Sequence, residues 1–321
     1  MDKSAKTSFI DVNGIKMHVA EMGEGPLVVF CHGWPELGYS WRHQMRAVAA
    51  AGFRAAVPDM RGFGKTSAPD DIAAYTILHN VGDMVALVKA LDEKSAIIVG
   101  HDWGAPVAWN AALLRPDIFR AVVGMSVPFA GRPPAPPVKT LREAGQTNFY
   151  WVYFQTPGVA EAEFERDVAT TMRKILTAAA GGEGTRALSM TLQPGKGLLD
   201  NAVAPEYLPD WLPQADLDVF VSEYKRTGYR GGLNWYRNID RNFELMTPWQ
   251  DAVIAQPSLF IAGTRDGVIT NPMGKRNLER MPSMLPNLKG TVLLEGAGHW
   301  VQQERAEEVN AALIKFLKAC G

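Results

Sequence analysis

The stretch VGHDWGAPVAW, residues 99–109, joins a short apolar run to a helical pattern through a sharp turn. Gly100 and Gly104 flank the turn. Small residues there suit a strand–turn–helix connection in which one side chain must stand exposed above a sheet. Asp102 lies at the tip of the turn. Two interpretations of this residue are open: an aspartate that caps the helix N-terminus, and a nucleophile presented by a strained elbow.

Short apolar runs of the same kind recur along the chain, separated by segments of helical length such as residues 76–92. The runs are LVVFC (27–31), FRAAV (53–57), AIIVG (96–100), RAVVGMS (120–126), PSLFIAG (257–263) and GTVLLEG (290–296). Residues 8–22 precede them and predict a hairpin around Asn13-Gly14, a dipeptide that tolerates the positive φ of a type I′ turn. Apolar strands that alternate with helices predict an α/β fold whose mostly parallel sheet is covered by helices on both faces.

This alternation stops between about residues 128 and 247, where no clear buried strand occurs. A proline-rich entry leads there into aromatic and helical segments, and the apolar runs resume at residue 257. We therefore predict one α/β core in two parts, residues 1–127 and 248–321, separated by a helical cap over residues 128–247.

Composition narrows the classes of function. The 33 basic and 34 acidic side chains leave a net charge of -1, so we expect no nucleic-acid partner. The chain starts without an apolar leader, and no run approaches the roughly 18 apolar residues of a spanning helix, so we expect a cytoplasmic protein without a membrane partner. Cys31 and Cys320 stand far apart and the six histidines are scattered, so neither a metal nor a cofactor is expected.

Two further polar residues follow predicted strands. Asp266, in GTRDGV, comes after the strand at 257–263, and His299, in GAGHW, follows the strand that starts at residue 290. Because parallel strands end at one edge of the sheet, both side chains are expected near Asp102. Together they give the order nucleophile, acid, histidine.

The loop CHGWPE, residues 31–36, follows the first core strand. A nucleophile on such an elbow usually has an oxyanion hole made of backbone N–H groups. One N–H comes from a loop of this kind and another from the residue after the nucleophile. Pro35 has no N–H. The predicted donors are therefore the backbone amides of Trp34 and Trp103.

The sequence resembles the α/β-hydrolase fold epoxide hydrolases, the group that includes the hydrolase domain of soluble epoxide hydrolase. The matching stretches are HGWPE, PDMRGFGKTSAP (58–69), GHDWG, YFQTPGVAEAEF (153–164), YRGGLNWYRN (229–238), TRDGV and GHWVQQE. They run from about residue 8 to residue 317, essentially the whole chain, so we expect no counterpart of the N-terminal phosphatase domain of some mammalian members. The two stretches inside the cap are the most specific of them.

The resemblance implies a reaction and a set of residues for it. A carboxylate suits an epoxide because the ring offers only sp³ carbons and a carboxylate is ionised without a base. Asp102 is then the nucleophile that forms an ester, His299 the general base that activates water, and Asp266 the acid that orients the histidine. The two cap tyrosines that activate the epoxide oxygen correspond by motif position to Tyr150 and Tyr236.

Several details of the binding site are expected around these residues. Trp34, Pro35, Trp103 and Tyr153 are predicted to contact the substrate, a small apolar epoxide that reacts with water. Tyr153 is also the alternative to Tyr150 as the first cap tyrosine. A monomer or a homodimer is expected.

Other residues near these motifs have a structural interpretation. His32 and His101 flank the site, and we interpret them as scaffolding of the loop and of the elbow. Asp59 and Arg61, in PDMRGFG, are predicted to form a turn-stabilising pair.

Three rival functions are weighed against epoxide hydrolysis. A haloalkane or haloacid dehalogenase shares the aspartate nucleophile, but a halide leaves as a stable anion and needs no acid, so the paired tyrosines favour an epoxide. A non-catalytic ligand-binding member of the fold would not need the full set of catalytic residues. A serine esterase is excluded because Asp102 occupies the nucleophile position.

Overall fold

The computed structural model describes residues 5–181 and 189–320, and within them the core is an eight-stranded sheet. The strands are β1 (Lys6–Val12), β2 (Ile15–Met22), β3 (Leu27–Cys31), β4 (Arg54–Pro58), β5 (Ala96–His101), β6 (Phe119–Met125), β7 (Ser258–Gly263) and β8 (Leu288–Leu294). Their order in the sheet is β1-β2-β4-β3-β5-β6-β7-β8. The pairs β1/β2 and β2/β4 are antiparallel and the remaining pairs are parallel, which confirms the predicted mostly parallel sheet.

Helices alternate with the strands. In the described ranges they are α1 (Arg42–Ala50), α2 (Ile77–Ala90), α3 (Gly104–Leu114), α4 (Pro137–Glu143), α5 (Tyr150–Tyr153), α6 (Val159–Phe164), α7 (Val168–Ala178), α8 (Gln214–Thr227), α9 (Arg230–Arg237), α10 (Ile239–Leu245), α11 (Gly267–Thr270), α12 (Pro272–Met284), α13 (Val301–Glu304) and α14 (Ala306–Cys320). Short 3₁₀ helices lie at Gly38–Trp41, Ile72–Tyr75, Leu198–Asn201 and Thr247–Trp249. None of the helices described here has the length and apolar character needed to cross a membrane.

The first two strands form the hairpin predicted from Asn13-Gly14. Val12 pairs with Ile15 across the turn, and Asn13 and Gly14 have φ values of 44° and 79°. Positive φ at both central positions matches the right-handed twist of the flanking strands. This local signal in the sequence therefore fixes the register of the antiparallel edge.

The two faces of the sheet bury different side chains. In β3 the side chains of Val28 and Phe30 pack with α1 and α14, whereas Val29 packs on the other face with α2 and α3. Alternate side chains of a strand point to opposite faces, so a strand covered on both sides is apolar throughout. Each of these fully buried side chains contributes about 1.5–3 kcal/mol.

A long insertion separates β6 from β7, although the two strands are hydrogen-bonded neighbours in the sheet. Its described residues form the helices α4 to α10, and an isolated bridge between Phe149 and Thr191 is the strand-like pairing found among them. The predicted helical character is confirmed. The exact division of the chain at residues 127 and 247 stays a prediction.

An ion pair joins the insertion to the core. Asp216, in the first turn of α8, lies 2.6 Å from Arg42 Nη2 at the start of α1. The Tyr39 hydroxyl donates to the same carboxylate at 2.7 Å. Because both donors belong to the core, this contact holds α8 against the loop after β3.

Candidate active site

Asp102 lies at a tight turn between β5 and α3. Its φ is 49°, in the left-handed region that a non-glycine residue enters only at an energetic cost. A Cβ at Gly100 would overlap the Gly104 carbonyl oxygen, and one at Gly104 would overlap the carbonyl oxygen of Cys31. The flanking glycines are therefore required for a turn this tight, as the sequence predicted.

The loop after β3 contacts the Asp102 carboxylate through its backbone. The Trp34 N–H donates to Asp102 Oδ1 at 2.7 Å. A Cβ at Gly33 would overlap the same oxygen, so this close approach requires glycine. Pro35 is buried in the loop, and its peptide bond to Trp34 is cis. The Trp34 amide thus lies where the oxyanion hole was predicted, while the part of the Trp103 amide stays a prediction.

His299 lies between the two acidic residues that the sequence assigned to it. Its Nε2 is 3.5 Å from Asp102 Oδ2, and its Nδ1 is 3.1 Å from Asp266 Oδ1. Asp266 follows β7 and caps α11 by accepting the Val268 N–H at 2.8 Å. The structure therefore brings the predicted nucleophile, histidine and acid together at one edge of the sheet.

The protonation of this set follows from its charges. Burial alone would lower the pKa of His299, but the Asp266 and Asp102 carboxylates outweigh it and raise that pKa well above 6.5. Burial alone would raise the pKa of Asp266, but His299, the Ser126 hydroxyl and the Val268 N–H hold it below 3.8. Opposite charges favour each other's ionised forms. An imidazolium between two carboxylates is the favoured resting state.

A second buried histidine holds the backbone of the first. His101 Nε2 is 2.7 Å from the His299 carbonyl oxygen and Nδ1 is 2.6 Å from Glu36 Oε2. A carbonyl oxygen only accepts, so Nε2 carries a proton. Gln302 and Gln303 donate to the other Glu36 oxygen at 2.7 and 3.3 Å. His101 is thus scaffolding, as interpreted, but it supports the His299 loop as well as the elbow.

Tyr150 lies on α5 and Tyr236 on α9, and their rings pack against each other. Their ring centroids are 5.8 Å apart, and the Tyr236 ring contacts Trp34 at 5.8 Å and Trp103 at 5.1 Å. Burial and the Asp102 charge raise the pKa of both phenols, so both are protonated at neutral pH. Both hydroxyl groups therefore carry a proton and are affected by the charge of Asp102.

Tyr153 has a different environment from Tyr150. Its hydroxyl donates to Glu163 Oε2 at 2.8 Å, and the Glu163 carboxylate also accepts the N–H groups of Leu198 and Leu199. Burial and Glu163 raise the pKa of Tyr153, whereas Asp102 contributes to the pKa shift of Tyr150. This contrast favours Tyr150 as the first cap tyrosine. Substrate contact by Tyr153 stays a prediction.

The predicted pairing of Asp59 with Arg61 is wrong. Arg61 forms a two-pronged ion pair with Asp83 at 2.5 and 2.8 Å. Asp59 instead accepts from the Gly38 N–H at 3.0 Å and contacts His18 Nδ1 at 2.9 Å. Both residues are structural, but each holds a different element, because neighbours in sequence point apart here.

Sequence reasoning gave no role to Ser126, which contacts two residues of the predicted catalytic set, or to Glu36, which contacts His101. Ser126 Oγ lies 2.9 Å from His299 Nδ1 and donates to Asp266 Oδ2 at 2.6 Å. The one feature of the sequence that pointed to Ser126 was its place at the end of a predicted strand.

Within residues 5–181 and 189–320, no three His, Cys, Asp or Glu side chains form a group suited to a metal ion.

Comparison with known proteins places this site in a family. A family model described as alpha/beta hydrolase fold matches residues 26–306. "Epoxide hydrolase A" of Mycobacterium tuberculosis (strain ATCC 25618 / H37Rv) is 44% identical over 312 residues, with 96% of each chain covered. "Epoxide hydrolase" of Caballeronia sordidicola is 43% identical, with 96% of this chain and 92% of that protein covered.

Comparison with solved structures also finds an epoxide hydrolase. "Epoxide hydrolase from an endophytic Streptomyces" matches with a TM-score of 0.94 and 45% identity, and covers 99% of this chain and 96% of that one. Identity at this level over nearly the full length shows more than a shared fold. The chain belongs to the α/β-hydrolase fold family and, within it, to the epoxide hydrolases.

Proposed function

We propose that the protein converts an epoxide and water to a vicinal diol through a covalent ester on Asp102. The observation that carries this proposal is that the two oxygens of the Asp102 carboxylate have different contacts. Oδ1 accepts the Trp34 N–H at 2.7 Å, and Oδ2 faces His299 Nε2 at 3.5 Å. An oxygen held by a backbone amide suits the carbonyl of an ester, which leaves Oδ2 as the attacking atom.

Ring opening is the first step. Asp102 Oδ2 bonds to an epoxide carbon as the bond from that carbon to the ring oxygen breaks. The ring oxygen takes a proton from Tyr150 or Tyr236, which becomes a phenolate. As the negative charge leaves Asp102, one cause of the raised pKa of both phenols disappears, so proton donation becomes easier while the bond forms.

Ester hydrolysis is the second step. The ester removes the charge of Asp102, so His299 first releases its Nε2 proton to the solvent. A water molecule then gives a proton to the neutral Nε2, and its oxygen attacks Cγ of Asp102. The resulting oxyanion forms on Oδ1, where the Trp34 N–H stabilises it, together with the Trp103 N–H in our proposal. The intermediate collapses with cleavage of the Cγ–Oδ2 bond, and the leaving alkoxide takes the proton from His299.

The cycle closes with two proton transfers. Asp102 is left as a carboxylic acid whose proton returns to the phenolate, and His299 takes a proton back from the solvent as the Asp102 charge returns. The net reaction is epoxide plus water to diol. One oxygen of the diol is the original Oδ2, and the oxygen of water stays on Asp102.

The substrate we infer is a small apolar epoxide. The Tyr236 ring lies 5.8 Å from Trp34, 5.1 Å from Trp103 and 4.9 Å from Phe154, so an entering molecule would meet aromatic faces. In this proposal residues 128–247 act as a cap that supplies both tyrosines. Paired phenols beside the nucleophile favour an epoxide over an alkyl halide, whose leaving group needs no proton.

Trapping the ester tests the proposal. In His299→Ala the ester should form and persist, so incubation with an epoxide should add the mass of the whole epoxide to Asp102. The same variant given an alkyl halide should stay unmodified. Asp102→Ala is the matched control and should gain no mass. An adduct with the halide alone would point to a dehalogenase, and no adduct with a panel of epoxides on which the wild type is also inactive would overturn the proposal.

A further inference from the structure

Ser126 follows β6 directly and is fully buried. Its φ is 68°, in the left-handed region where a glycine would be free of strain. Its N–H donates to the Ile261 carbonyl oxygen at 2.9 Å, which fixes the backbone against β7. A side chain held at such a position is a reason to look for a function of that side chain.

The Ser126 hydroxyl contacts both His299 and Asp266. It donates to Asp266 Oδ2 at 2.6 Å and lies 2.9 Å from His299 Nδ1. A hydroxyl has one proton to donate and two lone pairs, so it can accept the Nδ1–H while it donates to the carboxylate. The His299 Nδ1 is also 3.1 Å from Asp266 Oδ1. The three side chains therefore close into a hydrogen-bonded ring.

The two Asp266 oxygens are held from different sides. The Val268 N–H donates to Oδ1 at 2.8 Å, and the Ser126 hydroxyl holds Oδ2. With both oxygens fixed, the carboxylate has one orientation toward His299. The imidazole is fixed in turn, since Nδ1 has two acceptors on one side and Nε2 points at Asp102.

We propose that Ser126 is a positioning residue for hydrolysis of the ester, because its hydroxyl orients Asp266 and His299 so that Nε2 faces the water that attacks Asp102. This inference rests on the proposed function. Ring opening uses Asp102 and the cap tyrosines, and the Ser126 hydroxyl bonds to none of these. Its effect therefore falls on the second step.

Single-turnover kinetics of two variants test this role. Ser126→Ala removes the hydroxyl and keeps the strained backbone, whereas Ser126→Gly removes the hydroxyl and relieves the strain. In both variants we expect the rate of ester formation to stay within about twofold of the wild type and the rate of ester hydrolysis to fall by about tenfold or more. This loss is a part of the rate increase of about 10²–10⁴-fold that a positioned base contributes. The ester should then accumulate and be visible in intact mass.

Ser258→Ala is the matched control. Ser258 is buried at the opposite end of β7, and its hydroxyl has no hydrogen-bond partner among the described residues. Both steps should keep their wild-type rates in this variant. Melting curves check that every variant is folded, and if Ser126→Ala does not fold, Ser126→Gly decides the question.

The outcomes separate this inference from the proposed function. Wild-type ester hydrolysis in Ser126→Gly would show that the serine serves only the backbone, and equal slowing of both steps would show a general disturbance. Either result overturns the positioning role while the ester on Asp102 stands. If His299→Ala gains no ester from a panel of epoxides on which the wild type is also inactive, the proposed function fails and the role of Ser126 fails with it.

Discussion

His299 Nε2 lies 3.5 Å from Asp102 Oδ2, so the histidine rests beside the charge that the proposed ester formation would consume. Burial lowers the pKa of His299, but the charges of Asp266 and Asp102 raise it well above 6.5 in the free enzyme. In the proposed ester one of the two charges is gone, so the pKa of His299 should fall. The proposed mechanism therefore predicts that the histidine changes from an imidazolium to a base at the step that needs one.

This relationship predicts the pH dependence of ester hydrolysis. Only neutral His299 accepts a proton from water, so the hydrolysis rate should fall as pH falls through the pKa of His299 in the ester. That midpoint should lie below the titration midpoint of His299 in the free enzyme, which NMR can measure. Single-turnover decay of the ester across pH gives the first value. Equal midpoints would contradict the coupling between Asp102 and His299.

Removing the hydroxyl groups of the cap tyrosines should lower the rate of ring opening only. Tyr150→Phe and Tyr236→Phe should each slow ester formation by about ten- to a hundredfold, and the double variant should approach the 10²–10⁴-fold that a general acid contributes. Stopped-flow tryptophan fluorescence can follow ester formation.

Tyr153→Phe is the control for that experiment. It removes a hydrogen bond to Glu163 and should cost about 1 kcal/mol of stability with little change in ester formation. A loss in Tyr153→Phe that matches the loss in Tyr236→Phe, with Tyr150→Phe fully active, would transfer the first tyrosine's role to Tyr153.

The buried contact between Glu36 and His101 predicts a pH-dependent stability. Burial raises the pKa of Glu36, but its contacts, His101 above all, outweigh burial and lower the pKa to about 2. A depressed acid stabilises the fold above its unfolded pKa of 4.5, and this stabilisation is lost as pH falls toward about 2.

Glu36→Gln should therefore lower the free energy of unfolding by about 3 kcal/mol at pH 7. The difference from the wild type should shrink progressively below pH 4.5. Urea denaturation at several pH values measures both. Glu279→Gln, at an exposed position inside α12, should show no difference at any pH. A constant difference for Glu36→Gln down to pH 3 would contradict the assigned charge state of Glu36.

The strands, the hairpin and the proximity of the three residues proposed to be catalytic could be predicted, because each depends on a local pattern. Asn13-Gly14 defines its own turn, and apolar runs of strand length define β3 to β8. Asp102, Asp266 and His299 could be placed together because each follows a parallel strand, and such strands end at one edge.

The contacts of other polar side chains could not be predicted from the sequence. Arg61 was assigned to Asp59, two residues away, but packing brings it to Asp83 on α2. The Ser126 hydroxyl meets two residues that lie more than a hundred positions further along the chain. Such contacts depend on how helices and loops pack, and a serine after a strand is too common in turns to predict them.

The fate of oxygen in a single turnover tests the central claim most directly. Excess enzyme is mixed with an epoxide in water labelled with oxygen-18, and both the diol and the peptide that contains Asp102 are analysed by mass spectrometry. An ester mechanism predicts an unlabelled diol and one labelled oxygen on Asp102. A labelled diol with an unlabelled Asp102 would mean that water attacks the epoxide directly, and would contradict the account.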